Sequence, residues 1–149
     1  MFQLSKRGQE LIINSEGLRL ESYLDAAGIW TIGYGTTLLN GAKVTEGMVI
    51  NKLVADALLL GNVRGYLDFI ENTVRVKITQ NQIDALTSFT YNLGKGAFLN
   101  SSLLTAINAK LIINQDLFTR WNKARVNGQL IELKGLTKRR KAEYELFIS

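Results

Sequence analysis

The sequence predicts an α+β fold that is mostly helical, with a small β-hairpin element near the N-terminus and a helical body after it. Three observations carry this. Residues 18–35 leave the helical period and hold two runs rich in β-branched and aromatic residues, LRLESYLD and IWTIGYG, joined by AAG. From Thr45 onward apolar residues recur at helical spacing. The 149 residues, 46% of them hydrophobic, are enough for one domain of ordinary composition.

The elements follow in order. A first helix starts at Ser5, a good N-cap, and reaches Ser15 or Glu16, where Gly17 supplies the left-handed residue that stops it. The hairpin follows, and Asn40-Gly41 marks a second turn. A helix is expected over about 46–71, weakened by Gly61 and Gly65. Thr79-Gln80-Asn81-Gln82 fits a capping box, opening a helix with Ile83, Leu86, Phe89 and Leu93 on one side and Gly94 at its end. Shorter helices are expected at about 101–110 and 115–125, then a turn at Asn127-Gly128 and a last helix at about 136–148. The expected organisation is one domain over 1–149. Its small β-containing lobe covers about 15–45, and its helical body covers 46–149 packed with helix 5–16.

Composition restricts the chemistry. With no cysteine there are no disulfides, thiol nucleophiles or thiolate metal sites, and with no histidine the usual proton shuttle is missing. Acid–base work falls to the 13 carboxylates. No run of eighteen apolar residues occurs. The N-terminal MFQLSKRGQELIINSEG lacks the order of a secretory signal, so the expectation is a protein that stays in the cytoplasm until it is released. The net charge of +5 is uneven. Residues 1–119 carry ten Lys/Arg and ten Asp/Glu, and residues 120–149 carry eight against three, which is the whole excess. Such asymmetry fits a polyanionic partner or a solvated helix face that keeps the chain soluble.

Glu16 stands out because it falls in the last turn of the first helix. There the negative end of the helix dipole destabilises an ionised carboxylate, the bias a general acid needs. Asp25 lies nine positions on, at the hairpin turn. Two carboxylates facing one another is the arrangement of glycoside hydrolases, although a helix-terminal Glu and a turn Asp are also ordinary surface residues. The wider pattern is more specific. Glu16-Gly17-x-x-Leu20-x-x-Tyr23-x-Asp25-x-x-Gly28-x-Trp30-Thr31-Ile32-Gly33-Tyr34-Gly35 resembles the catalytic segment of the phage lysozymes and endolysins of glycoside hydrolase family 24, the family of the T-even phage lysozymes. ALTSFTYNLGKGAFLNSSLL at 85–104, FTRWNKA at 118–124 and GLTKRRKAE at 135–143 are similar to its central and C-terminal segments.

The resemblance implies a lysozyme-like fold with an active-site cleft between a small β lobe and a larger helical lobe. It also implies cleavage of the β-1,4 bond between N-acetylmuramic acid and N-acetylglucosamine in peptidoglycan. It makes Glu16 the acid, Asp25 the residue that orients and activates water, and Thr31 a residue that helps hold that water, with inversion at the anomeric carbon. Without it, Thr31 reads as a strand residue with its hydroxyl outward. Gly35, Tyr91, Asn92 and Ser101 are the substrate-binding candidates. Gly35 can equally serve tight strand geometry, Tyr91 can be a core aromatic, and Ser101 can be an N-cap. Trp30 reads as core. Arg139, in the apolar arc Leu136-Arg139-Ala142-Leu146-Phe147, needs a carboxylate partner, either at or near Glu16 or at Glu143.

No metal or organic cofactor is implied. The partners implied are peptidoglycan, a holin for release and, through the basic end, anionic envelope components, with the protein acting as a monomer and no nucleic acid expected. A lytic transglycosylase acting on the same bond and a basic nucleic-acid-binding module are the competing readings. Two departures from the family pattern stand out: Thr36 where many members have His, and RVNGQLIELKGL in place of a shorter Gly-Gly turn.

Overall fold

The computed structural model describes residues 1–149. The chain forms two units, Ile12–Gly65 and a second made of Met1–Leu11 with Tyr66–Ser149. The elements are α1 (Lys6–Glu16), β1 (Arg19–Leu24), β2 (Trp30–Gly33), β3 (Leu38–Leu39), β4 (Ala42–Lys43), α2 (Lys52–Thr73), α3 (Gln80–Leu93), α4 (Lys95–Leu99), α5 (Ser102–Asn108), α6 (Asp116–Thr119), β5 (Lys123–Val126), β6 (Gln129–Glu132) and α7 (Lys134–Ile148). The mostly helical α+β expectation holds.

In the Ile12–Gly65 unit, α1 ends where expected, with Gly17 at φ 70° and its N–H donating to Ile13 O at 3.2 Å. β1 and β2 pair antiparallel, Tyr23 opposite Thr31 and Leu24 opposite Trp30. Between Arg19 and Tyr23 the register slips, and β1 turns to the segment before α2: Ser22 N–H donates to Met48 O and Ile50 N–H to Leu20 O. That pairing corrects the expected helix start near residue 46. Residues 48–50 are spent as an extended partner of β1, and α2 begins only after Asn51, whose Oδ1 accepts from Val54 N–H at 2.8 Å. Asn40 and Gly41, both at positive φ, form the β3–β4 turn.

The small unit also runs past residue 45 to Gly65, because the first half of α2 belongs with the strands. Tyr34 Oη donates to Asp56 at 2.8 Å and Asn62 Nδ2 to the buried Thr36 Oγ1 at 3.1 Å. α2 runs through Gly61 and Gly65 unbroken, with Ala55, Leu59, Val63, Leu67 and Ile70 buried at spacings of three and four. Burying that stripe outweighs the cost of two helical glycines, about 1 kcal/mol each.

In the other unit, Thr79 and Gln82 form the expected capping box of α3. Phe89 on α3 meets Phe98, Phe118 and Trp121 edge-on at centroid distances of 6.1, 5.8 and 6.0 Å. α7 lies against α3, and between them three ionisable side chains are buried. Glu143 is held by Arg140 (Nε to Oε1, 2.5 Å) and Arg139 (Nε to Oε2, 3.4 Å), and Ser88 Oγ donates to it at 2.6 Å. Burial pushes the Glu143 carboxyl up, and the two guanidiniums oppose that shift.

Two helices of this unit also differ from expectation. α4 is additional to the expected elements. α6 spans only 116–119 rather than 115–125, because the chain turns out at Asn122 into the β5–β6 hairpin around Asn127-Gly128. A short run either side of Asn-Gly is a hairpin signal in its own right.

α1 enters this unit at its N-terminal end. Ser5 Oγ accepts from Gly8 N–H at 3.2 Å, while Ser5 N–H and Oγ–H both donate to the buried Asp84 on α3. Gly8 is where α1 crosses α3: a Cβ there would lie 2.8 Å from Asp84 Cγ and 2.7 Å from Leu4 Cδ1. Gly→Ala inside a helix ordinarily gains about 1 kcal/mol. Here Asp84 would have to release Ser5, so Gly8→Ala should instead lose about 1–3 kcal/mol, read as a lowered denaturant midpoint.

Candidate active site

Glu16, Asp25 and Thr31 all fall in the Ile12–Gly65 unit. Glu16 is half-buried in the last turn of α1. Asp25 follows β1 directly and organises the turn to β2: its Oδ1 accepts from Ala27 N–H at 2.8 Å and from Ile29 N–H at 2.9 Å. Asp25 N–H donates to Ile29 O at 3.0 Å, and Gly28 N–H to Asp25 O at 2.9 Å. An aspartate that binds backbone N–H groups two and four residues on is a strong turn former, which explains the Asp-x-x-Gly spacing.

Thr31 is 3% exposed, and its hydroxyl donates to Ile29 O at 2.9 Å. The expectation of an outward hydroxyl, formed without the family pattern, therefore fails. Ile29 thus links the two residues through its main chain, since its N–H holds the Asp25 carboxylate and its carbonyl takes the Thr31 proton. With its one proton committed, Thr31 Oγ1 can meet a water molecule only as acceptor. The second Asp25 oxygen, Oδ2, has no protein donor and is a second acceptor in the same turn. Both oxygens are thus acceptors held by the same turn. The sequence signals gave no weight to Ile29, because its contribution is entirely main-chain.

Gly35, at φ 87°, sits in a tight reversal where Ile32 and Thr36 exchange both backbone hydrogen bonds at 2.8 and 2.9 Å. That reversal is the tight strand geometry expected at this glycine. Thr36, in the position where many family members carry His, is buried and neutral, with Asn62 as its partner. Beside it, Lys52 Nζ donates to Asp56 Oδ2 at 2.8 Å. Lys52 first and the Tyr34 hydroxyl second hold the Asp56 carboxyl below the usual aspartate value. Burial, then Asp56, pushes the Tyr34 hydroxyl up. Trp30, read as core, is half-buried.

The remaining candidates lie in the other unit. Tyr91 is half-buried and stacks at a tilt on Tyr66, centroids 5.4 Å apart. Asn92 Oδ1 is buried without a hydrogen-bond donor from the protein. Ser101 is 1% exposed, and its hydroxyl donates to Phe98 O at 2.6 Å while accepting from Leu104 N–H at 3.1 Å. That is the N-cap of α5, the second role expected of Ser101, and it leaves the hydroxyl no proton for a sugar. Arg139 meets Glu143, one of its two expected partners, and donates to Ser88 Oγ and O at 3.3 and 3.2 Å.

A hairpin turn built around Asp25 and Thr31, after a helix ending in Glu16-Gly17, is the layout of a carboxylate glycosidase of lysozyme type. The chain belongs to the phage lysozyme family, whose model, described as "Phage lysozyme", matches residues 13–143. It is similar to the endolysin of Acyrthosiphon pisum secondary endosymbiont phage 1, at 40% identity over 98% of each chain. Among solved structures it is similar to an endolysin from Escherichia coli O157:H7 phage FAHEc1 (TM-score 0.92, 38% identity, covering 99% of this chain and 94% of that one). It is also similar to the muramidase domain of SpmX from Asticaccaulis excentricus (TM-score 0.91, 35% identity, covering 100% and 99%).

Two predictions follow from this geometry. Asp25→Asn keeps an oxygen acceptor for the turn, so it should melt near wild type while losing activity about a hundred- to ten-thousand-fold. Asp25→Ala should lose the same activity and also about 1–2 kcal/mol of stability, because Ala27 and Ile29 lose their acceptor. Equal melting of the Asn and Ala variants would show that the carboxylate does not hold the turn.

The second concerns pH. The folded value of Asp56 lies below its unfolded one, so its contribution to stability is fully present above about pH 4 and fades as pH falls through the lower folded value. The stability gap between wild type and Asp56→Asn, from denaturant midpoints, should therefore narrow only on acidification below that point.

Proposed function

We propose that this chain is a peptidoglycan hydrolase that lyses bacterial cell walls in a phage cycle, cutting the β-1,4 bond between N-acetylmuramic acid and N-acetylglucosamine. The observation that carries the mechanism is the Asp25–Ile29–Thr31 turn. Glu16 is the general acid and gives its proton to the leaving oxygen. Asp25 Oδ2 draws one proton from water, Thr31 Oγ1 accepts a hydrogen bond from the other, which stays on the oxygen, and that oxygen attacks the anomeric carbon from the face opposite the leaving group. Configuration inverts. That route needs the two carboxyl groups roughly 6.5–9.5 Å apart to leave room for the water.

Tyr91, Asn92 and Gly35 are the residues we assign to glycan contact. Arg139 acts as a supporting residue. The same reading includes holin-dependent release from the host cytoplasm, action as a monomer, and anionic envelope components as secondary partners of the basic C-terminal end. No helix is long and apolar enough to cross a membrane.

A transglycosylase needs one catalytic carboxylate and no water, which leaves the two-acceptor turn without a task. A nucleic-acid module loses support because Arg139 and Arg140, two of the eight C-terminal cations, are buried on Glu143.

Glu16→Gln should fold normally and lose turnover on purified peptidoglycan by about a hundred- to ten-thousand-fold. Digestion in isotopic water should give labelled, inverted reducing ends. A folded Glu16→Gln variant with half its activity sinks the acid assignment, and 1,6-anhydro ends would identify a transglycosylase.

A further inference from the structure

The β5–β6 hairpin gathers exposed apolar side chains on two short strands. Its register pairs Lys123 with Glu132, Ala124 with Ile131, Arg125 with Leu130 and Val126 with Gln129. Paired residues share a face, so Ala124, Val126 and Ile131 lie on one side and Lys123, Arg125 and Leu130 on the other. Neither side is covered. Leu130 is 60% exposed, Val126 40%, Ile131 39% and the following Leu133 36%. A two-stranded hairpin gains little stability by itself, and apolar side chains gathered on exposed strands commonly mark an interaction surface.

The charge beside it has a sign. Lys134, Lys138 and Lys141 form an exposed stripe on α7, and with Glu132, Thr137, Ala142 and Glu145 they line a shallow groove that begins at the hairpin base. Together with Lys123 and Arg125 they make five exposed cations, against Glu132 and Glu145 within the same patch. None of the five is in an ion pair. Residues 122–143 contain no aromatic ring on which a nucleic-acid base could stack. Aliphatic side chains flanked by lysines are the chemistry of the boundary between lipid headgroups and acyl chains.

We propose that the β5–β6 hairpin and the α7 lysine stripe dock on an anionic phospholipid bilayer, the hairpin entering the headgroup region from its turn end so that Leu130 on one face and Val126 and Ile131 on the other are both immersed, and the cations meeting lipid phosphates. This rests on the anionic-envelope part of the proposed function and names the partner.

The test is co-sedimentation of the full chain with vesicles of equal parts phosphatidylglycerol and phosphatidylcholine, against vesicles of phosphatidylcholine alone. Binding should require the anionic lipid. It should weaken from about 0.1 M to about 1 M salt, as the screening length falls from ~10 to ~3 Å. Lys138→Gln with Lys141→Gln should cost roughly twenty-five-fold in affinity, about fivefold per charge removed. Leu130→Ser with Ile131→Ser should cost roughly tenfold. The lysine pair lies on the solvent side of α7, so the test stands even if the hairpin variant melts early.

Equal binding to both vesicle types, unchanged binding by the lysine variant, or self-association through the hairpin in place of lipid binding overturns the proposal. Glu16→Gln is assayed in parallel on isolated cell walls, so that nothing is degraded. Wall binding without vesicle binding removes the lipid proposal and leaves the envelope reading standing, and binding to neither removes both.

Discussion

The main chain of one residue positions the proposed chemistry. Ile29 uses its N–H to hold the Asp25 carboxylate and its carbonyl to hold the Thr31 hydroxyl. The two residues come from opposite sides of the β1–β2 connection, yet neither position depends on a long side chain. Asp25 is locked by its own backbone bond to Ile29 O, and Thr31 by strand pairing with Tyr23. Acceptors fixed this way lose little on meeting a reacting water, because the ordering cost has been met by folding. A histidine-free chain has no mobile imidazole to move protons, so fixed oxygen positions must do that work.

In the other unit the comparable constraint is the burial of Glu143 with Arg139, Arg140 and Ser88. A carboxylate removed from water is costly unless well paired, and losing one partner of such a cluster leaves a buried charge with no match. The cluster joins α3 to α7 beside the Phe89 rings, and the Arg140 guanidinium lies over Phe89 at 5.2 Å. It also changes the meaning of the charge count. The +5 is a property of the sequence, but two C-terminal arginines serve the interior, and the surface field comes from the lysines and Arg125.

Much of this was legible in the residues. Ser5, Gly17, the Thr79–Gln82 box and both Asn-Gly turns act through local backbone chemistry, and each is where a single-sequence reading places it. Glu16, Asp25 and Thr31 were marked by pattern more than by type, since an aspartate at a turn is commonplace. What the sequence concealed is non-local. The extended segment at 48–50 reads as helix in the sequence because its pairing with β1 depends on residues nearly thirty positions away. The β5–β6 strands were hidden because they are short and exposed on both faces, so no alternation of apolar and polar residues reveals them. The Ser101 hydroxyl was ambiguous by nature, since a cap and a ligand contact use the same atom.

The β5–β6 hairpin begins and ends at nearly one point, because Leu133 N–H donates to Asn122 O at 2.9 Å and Asn122 Nδ2 reaches Thr137 at 3.1 Å. Everything between those residues is an appendage on a closed stem. Its length and composition can change without moving α6 or α7. Mechanically it is a module, joined to the body at a single hinge-like stem, while the Asp25 turn is wired into the strand pair on both sides and has no such freedom.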